Sequence, residues 1–231
     1  MRLQVFLSKA GIASRRAAID IIESGRVTVN GKRIIEPSHK VKPGDDTVLL
    51  DGRKILPKKK LYVILNKPKG VTTTKKDRFA ARTVIDLLPQ ALRHLNPAGR
   101  LDKGTRGLIL LTNDGDLINR VTHPRFNIDK IYEATLDRRL LDRDKERIER
   151  GVLLNGKRTA PCAITLKEKN RLEITLHEGR KRQVRRMFAV SGYGVLELKR
   201  IKEDFLSLDG LREGEWRYLT EREVARLGGS P

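Results

Sequence analysis

The chain has 231 residues, 38% hydrophobic and 34% charged, enough for one or two domains whose cores lie under a heavily solvated surface. Fifty lysines and arginines against 29 acidic residues leave a formal net charge of +21. That balance points to a polyanion, nucleic acid before an acidic membrane, because no segment reads as a long basic amphipathic helix with a bulky apolar face. Apolar stretches such as Leu61–Leu65 and Leu108–Leu111 are far too short to span a bilayer, and Met1–Gln4 runs straight into a patterned helix without a signal-peptide core. The lone Cys162 can build neither an intramolecular disulfide nor a Cys/His metal site, so a reducing cytoplasmic setting without zinc is expected.

The N-terminal piece has clear punctuation. Leu3, Phe6, Leu7 and Ala10 recur at helical spacing and stop at Gly11. Ser14 reads as the N-cap of a second helix, Arg15 to Ser24, with Ala18, Ile21 and Ile22 as its apolar stripe. Val27–Val29 is strand-like, and Asn30-Gly31 is a two-residue hairpin signal. Val48–Leu50 and the Asp51-Gly52 turn complete a helix pair laid on a small antiparallel sheet. Pro57 and the run Lys58–Lys60 then break the pattern, which predicts domains at 1–58 and 59–231. Residues 1–60 hold 14 basic and six acidic side chains, and the remainder 36 and 23, so both domains face a polyanion.

From Leu61 the pattern becomes short strands broken by irregularly spaced helices. Leu61–Leu65, Leu108–Thr112, Tyr132–Leu136 and Arg171–Leu176 read as strands. Thr83–Leu88, Asp116–Thr122, Asp142–Arg150 and Lys181–Ser191 read as helices. The expectation is an α+β catalytic domain on a mixed, largely antiparallel sheet with flanking helices, beside the small N-terminal helix-pair domain.

Spacing rejects several enzyme signatures. The glycines of Gly99–Thr105 are followed by Thr-Arg where a phosphate loop needs Lys-Ser/Thr. His177-Glu178-Gly179-Arg180-Lys181 has no second histidine, Pro161-Cys162 has no second cysteine, and no glycine-rich turn suits a dinucleotide. Asp102 remains, in a glycine-bounded loop with Arg100, Lys103 and Arg106 around it. Cationic neighbours keep such a carboxylate ionised, which suits a nucleophile or a general base. A lone Asp in a turn is far more often a local cap, so the residues alone do not decide.

Two resemblances do. Lys9-Ala10-Gly11-Ile12-Ala13-Ser14-Arg15-Arg16 with Gly25–Lys32 resembles the RNA-binding domain first described in ribosomal protein S-four. It implies Ser14, Arg15, Arg16, Arg26 and Lys32 as phosphate contacts. The stretch Gly99–Gly115, with Lys130–Glu133, Leu176–Met187, Leu198-Lys199-Arg200 and Gly214–Thr220, resembles the RsuA/RluB/RluE/RluF branch of the pseudouridine synthases. The implied reaction detaches uracil from its ribose, turns it and rejoins it through a ring carbon, in ribosomal RNA and of the large subunit before small-subunit or transfer RNA, with a non-catalytic RNA-binding ribosome-assembly factor as the rival reading. The resemblance implies no cofactor and no metal, and a monomer is expected. It makes Asp102 the catalytic carboxylate at the sugar, and Tyr132 the residue that stacks on the flipped uracil and helps the final proton removal. Arg185 becomes the basic partner of the carboxylate, Arg100, Arg180 and Gln183 substrate contacts, and Leu198 an apolar wall. Lys67, Lys181, Arg182 and Arg186 are expected to hold RNA phosphates. Extruding a base costs a few kcal/mol, and one aromatic platform returns roughly 1–3 kcal/mol. Relatives carry Gly-Pro where this chain has Asp204-Phe205, so a longer or re-aimed loop is expected there.

Overall fold

The computed structural model describes residues 1–75 and 80–228. They fall into two compact units, Met1–Lys60 with Asn113–Gly115 and Leu61–Thr112 with Asp116–Pro231. In the first unit α1 (Leu3–Lys9) and α2 (Arg15–Glu23) cover a sheet of β1 (Val27–Val29), β2 (Lys32–Ile34), β3 (Val48–Leu50) and β4 (Arg53–Lys54), ordered β2-β1-β3-β4. The Ser14 hydroxyl accepts the Ala17 N–H at 3.2 Å and so satisfies one of the free donors at the start of α2. Asn30 and Gly31 both take positive φ, 51° and 81°, which matches the primed turn a two-residue hairpin needs. Leu3, Leu7, Ile22 and Val27 are fully buried between helices and sheet.

The second unit runs β5 (Tyr62–Lys67), β6 (Asn96–Ala98), β7 (Arg106–Thr112), α3 (Gly115–Thr122), β8 (Lys130–Leu136), α4 (Asp142–Glu149), β9 (Leu153–Leu154), β10 (Lys157–Arg158), β11 (Ala163–Leu166), β12 (Arg171–Leu176), α5 (Gln183–Ala189), β13 (Val195–Glu203), β14 (Leu206–Ser207), β15 (Trp216–Tyr218) and α6 (Glu221–Arg226). Its main sheet has the order β11-β12-β8-β13-β7-β5-β15, with β14 beside β13 and β6 beside β7. Among the described strands only β13 and β7 pair in parallel, which makes the sheet mixed and largely antiparallel.

Burial explains the sequence of each strand. β7 is covered on both faces: Leu108 and Leu110 enter one core, Ile109 and Leu111 the other, so its apolar run is continuous. Each such side chain, fully buried, contributes roughly 1.5–3 kcal/mol. β12 is covered on one face, and Leu172, Ile174 and Leu176 alternate with Arg171, Glu173 and Thr175. Among the described residues no helix is long and apolar enough to cross a membrane.

Three expectations need correction. Thr83–Leu88 is a turn: the Asp86 carboxylate accepts from the N–H and hydroxyl of Thr83 at 2.7 and 2.8 Å, and the β-branched Thr83, Val84 and Ile85 before Pro89 disfavour a helix. The helix expected over 181–191 is only Gln183–Ala189, because Arg182 takes φ +52° at its start. Asp204-Phe205 is a tight two-residue turn, with Glu203 opposite Leu206 and Asp204 at φ +55°.

Gly107 faces the Arg200 backbone of β13 with no room for a side chain. At φ +111° it lies where a Cβ would be 2.2 Å from the Arg200 carbonyl oxygen. Gly107→Ala is expected to cost about 3 kcal/mol or more from backbone strain and forced separation of β7 and β13. Denaturant unfolding measures it, and a loss under about 0.5 kcal/mol would mean the strands part freely.

Candidate active site

The loop between β6 and β7 carries Asp102 and is tied down on both sides of it. The Thr73 hydroxyl donates to the Leu101 carbonyl at 2.8 Å and accepts the Leu101 N–H at 3.2 Å. The Gly70 N–H bonds the Lys103 carbonyl at 2.8 Å, and Thr105 N–H closes onto the Asp102 carbonyl at 2.9 Å. Arg185 donates to the Gly104 carbonyl at 3.0 Å and also to that of Val195. The backbone is thus fixed by main-chain partners, while the half-buried Asp102 carboxylate forms no hydrogen bond or ion pair with a described residue.

Asp102 opens into a cleft of about 610 Å³. Tyr132 lines it because β8 alternates: Tyr132, Ala134 and Leu136 share one face, and Tyr132 is the partly buried member that reaches the cleft. Leu198, Arg100, Arg180, Gln183, Lys181 and Arg182 also line it, together with Arg200 and Glu203. The structure therefore brings Asp102, the aromatic, the apolar wall and most of the arginine motif into one cavity.

Several side chains stand differently from expectation. Arg185 is absent from the cleft wall and does not pair with Asp102; its guanidinium grips the loop backbone behind Gly104. Burial holds it below the usual arginine range, and Arg182 adds to this while Asp102 opposes it. Arg180 spends its guanidinium on Glu178 at 3.1 Å and on the Lys157 and Arg158 carbonyls, and the Gln183 amide donates to Glu178 at 2.6 Å. These two residues brace the start of α5. Arg186 donates to the Asn155 side chain at 2.6 Å, whereas Arg100, Lys181 and Arg182 are exposed.

Lys67 cannot touch an RNA phosphate: its residue is 0% exposed. β5 is buried on both faces, and the ammonium donates to the Pro68 and Val71 carbonyls at 2.9 and 2.7 Å, bracing the turn whose Gly70 holds the Asp102 loop. Burial pulls its pKa down to about 8, against the pull of Asp102 and Glu213.

Below the Tyr132 ring lies a buried polar group that sequence reasoning missed. Arg200 and Glu203 are each 2% exposed and 3.2 Å apart. Burial pushes the Glu203 carboxyl up and also raises the Tyr132 hydroxyl well above the usual phenol range. The Leu198-Lys199-Arg200 triplet was the available signal, but strand alternation would have placed Arg200 and Glu203 on opposite faces.

In the first unit Arg15, Arg16 and Lys32 are exposed and form no ion pair with a described residue. Arg26 forks onto both oxygens of Asp51, and the Ser14 hydroxyl is occupied in capping.

Residues 61–190 match the RNA pseudouridylate synthase family, and residues 1–46 match the S4 domain. The chain is 40% identical over 232 residues to the ribosomal large subunit pseudouridine synthase B of Bacillus subtilis (strain 168), covering 98% of this chain and 95% of that protein. It is 37% identical over 230 residues to the dual-specificity RNA pseudouridine synthase RluF of Escherichia coli (strain K12), covering 98% and 78%. A pseudouridylate synthase crystal structure superposes with a TM-score of 0.72 at 31% identity, covering 98% of this chain and 99% of that one.

The buried Lys67 gives a pH signature. Between about pH 8 and 10.5 the unfolded chain keeps a proton that the folded chain has released, so this residue's contribution to stability rises with pH. Comparing wild type with Lys67→Met by denaturant unfolding, wild-type stability relative to the variant is expected to rise by up to about 3 kcal/mol across that window. A difference that stays level with pH would show that the ammonium is not depressed.

Proposed function

The chain belongs to the RNA pseudouridylate synthase family, and on that premise we propose that it isomerises a specific uridine of ribosomal RNA, in the large subunit, with Asp102 acting at the ribose. One observation carries the reading: a half-buried carboxylate without an ion pair, on a loop fixed by main-chain bonds, opens into a cleft floored by an aromatic ring and rimmed by exposed cations.

The reaction breaks the bond from the ribose anomeric carbon to uracil N1 and forms one to C5. The C5 proton leaves and N1 gains one, so there is no net oxidation. Whether the carboxylate attacks the anomeric carbon or removes an adjacent proton, it must be ionised and must not have to leave another partner first. Tyr132 offers its half-buried ring as the surface for the extruded base, and Leu198 closes the other wall. Arg100, Lys181 and Arg182 line the cleft and are exposed, which suits them to contact the flanking phosphates.

Residues 1–58 add affinity for structured RNA in this reading, and 59–231 carry the chemistry. Arg15, Arg16 and Lys32 are the phosphate contacts with free charge. The large-subunit assignment rests on the likeness to the Bacillus subtilis protein.

With RNA tritiated at uracil C5, wild type is expected to release label. Asp102→Asn should release none while its RNA affinity stays within about threefold, and a large affinity loss would make Asp102 structural. Mapping pseudouridine in ribosomal and transfer RNA with and without the protein identifies the target; a site confined to small-subunit or transfer RNA would overturn the large-subunit assignment. Arg15→Ala/Arg16→Ala is expected to weaken binding of all sequences alike. It should also lower the salt slope by about 1 for each phosphate that is no longer neutralised, read by filter binding at several salt concentrations.

A further inference from the structure

The sheet forces an unusual junction at Arg200. On β13, Arg200 sits directly opposite Tyr132 of β8 on one side and opposite Gly107 of β7 on the other. The register of β13 against β8 slips between Arg200 and Lys202. A bulge there adds a residue and turns Glu203 to the same side as Arg200, although three positions separate them. Arg200 Nε donates to the Leu108 carbonyl at 2.8 Å, Nη1 lies 3.2 Å from Glu203, and the Tyr132 hydroxyl on the facing strand is close enough to interact electrostatically with the guanidinium. One side chain therefore ties the strand that follows the Asp102 loop to the strand that carries the aromatic ring.

Stability does not explain the arrangement. A buried ion pair offsets its desolvation only when its remaining donors and acceptors are satisfied, and well-packed apolar residues often do as well or better. Here Arg200 Nη2 and both Glu203 oxygens have no hydrogen-bond partner among the described residues. Both residues line the cleft that holds Asp102. We infer that Arg200, oriented by Glu203, is a positioning residue of the isomerisation that sets the Tyr132 ring against Asp102 through the tyrosine hydroxyl. This rests on the catalytic reading of Asp102 above. It also accounts for Gly107, which lets Arg200 come close enough to reach Leu108.

The test uses the full chain. Arg200→Met/Glu203→Leu removes both charges and keeps apolar volume, so the fold is expected to survive, as checked by a thermal melt. Single-turnover tritium release should then fall about 100-fold, as expected of a reacting group misplaced by about 1 Å, with RNA affinity within about threefold of wild type. A crystal structure of the variant should show the Tyr132 ring displaced. A folded variant with wild-type rate, or with an unmoved ring, overturns the inference.

If the double variant does not fold, a cycle decides. Arg200→Lys should slow wild type about tenfold but slow Tyr132→Phe by less than about twofold, because the hydroxyl it acts through is already gone. Equal factors in both backgrounds overturn it. Loss of label release in wild type itself would instead strike the catalytic reading, and the ring position in the crystal would still test the clamp.

Discussion

The close approach of β13 to β7 at Gly107 is the constraint from which the site follows. Parallel neighbours cannot be joined by a hairpin, so the two strands are brought together from distant parts of the chain. Between them in sequence lie β8, with Tyr132, and α5, with Arg185. Seating β13 between β7 and β8 puts Leu198 and Arg200 beside the end of β7 that follows the Asp102 loop. α5 then packs its Val184, Met187 and Phe188 onto the same core, and Arg185 reaches the Gly104 carbonyl. A side chain at position 107 would separate the two strands on which these residues depend.

The electrostatics divide into what holds and what is left free. Lys67, Arg180 and Gln183 are expected from the sequence to contact RNA and Arg185 to pair with the Asp102 carboxylate, yet each is engaged with backbone or with Glu178. Their work is to fix loops, and it is done before RNA arrives. Asp102 is left without an ion pair on a loop that main-chain bonds have already oriented. Freeing a carboxylate from a desolvated partner would cost several kcal/mol, and this arrangement removes that cost. The exposed cations, by contrast, attract phosphate over a Debye length of about 8–10 Å and carry no sequence information.

What could be read from the residues depended on how local the signal was. Asn30-Gly31, the Ser14 cap and the apolar run of β7 are decided within a few residues, and the structure has them where the pattern puts them. β13 was missed because its bulge breaks the alternation that marks a strand, and with it went the burial of Arg200 and Glu203. Lys67 was misplaced for a different reason: a lysine before a Pro-Lys-Gly turn looks solvated, and only the sheet order shows β5 covered by β7 and β15 at its sides and by core on both faces. Arg185 is recognisable as a motif residue, but whether it meets the carboxylate or the backbone behind it is a tertiary fact.

The buried end of Tyr132 also bears on the last step of the proposed reaction. A phenol can take the C5 proton only as phenolate, and burial holds this hydroxyl in its neutral form, further from ionising than a free tyrosine. Its oxygen interacts electrostatically with the Arg200 guanidinium. The Arg200 charge pulls the other way, but burial is the larger effect, and Glu203 and Asp102 add to it. In the proposed reaction the ring face is therefore what Tyr132 offers to the base.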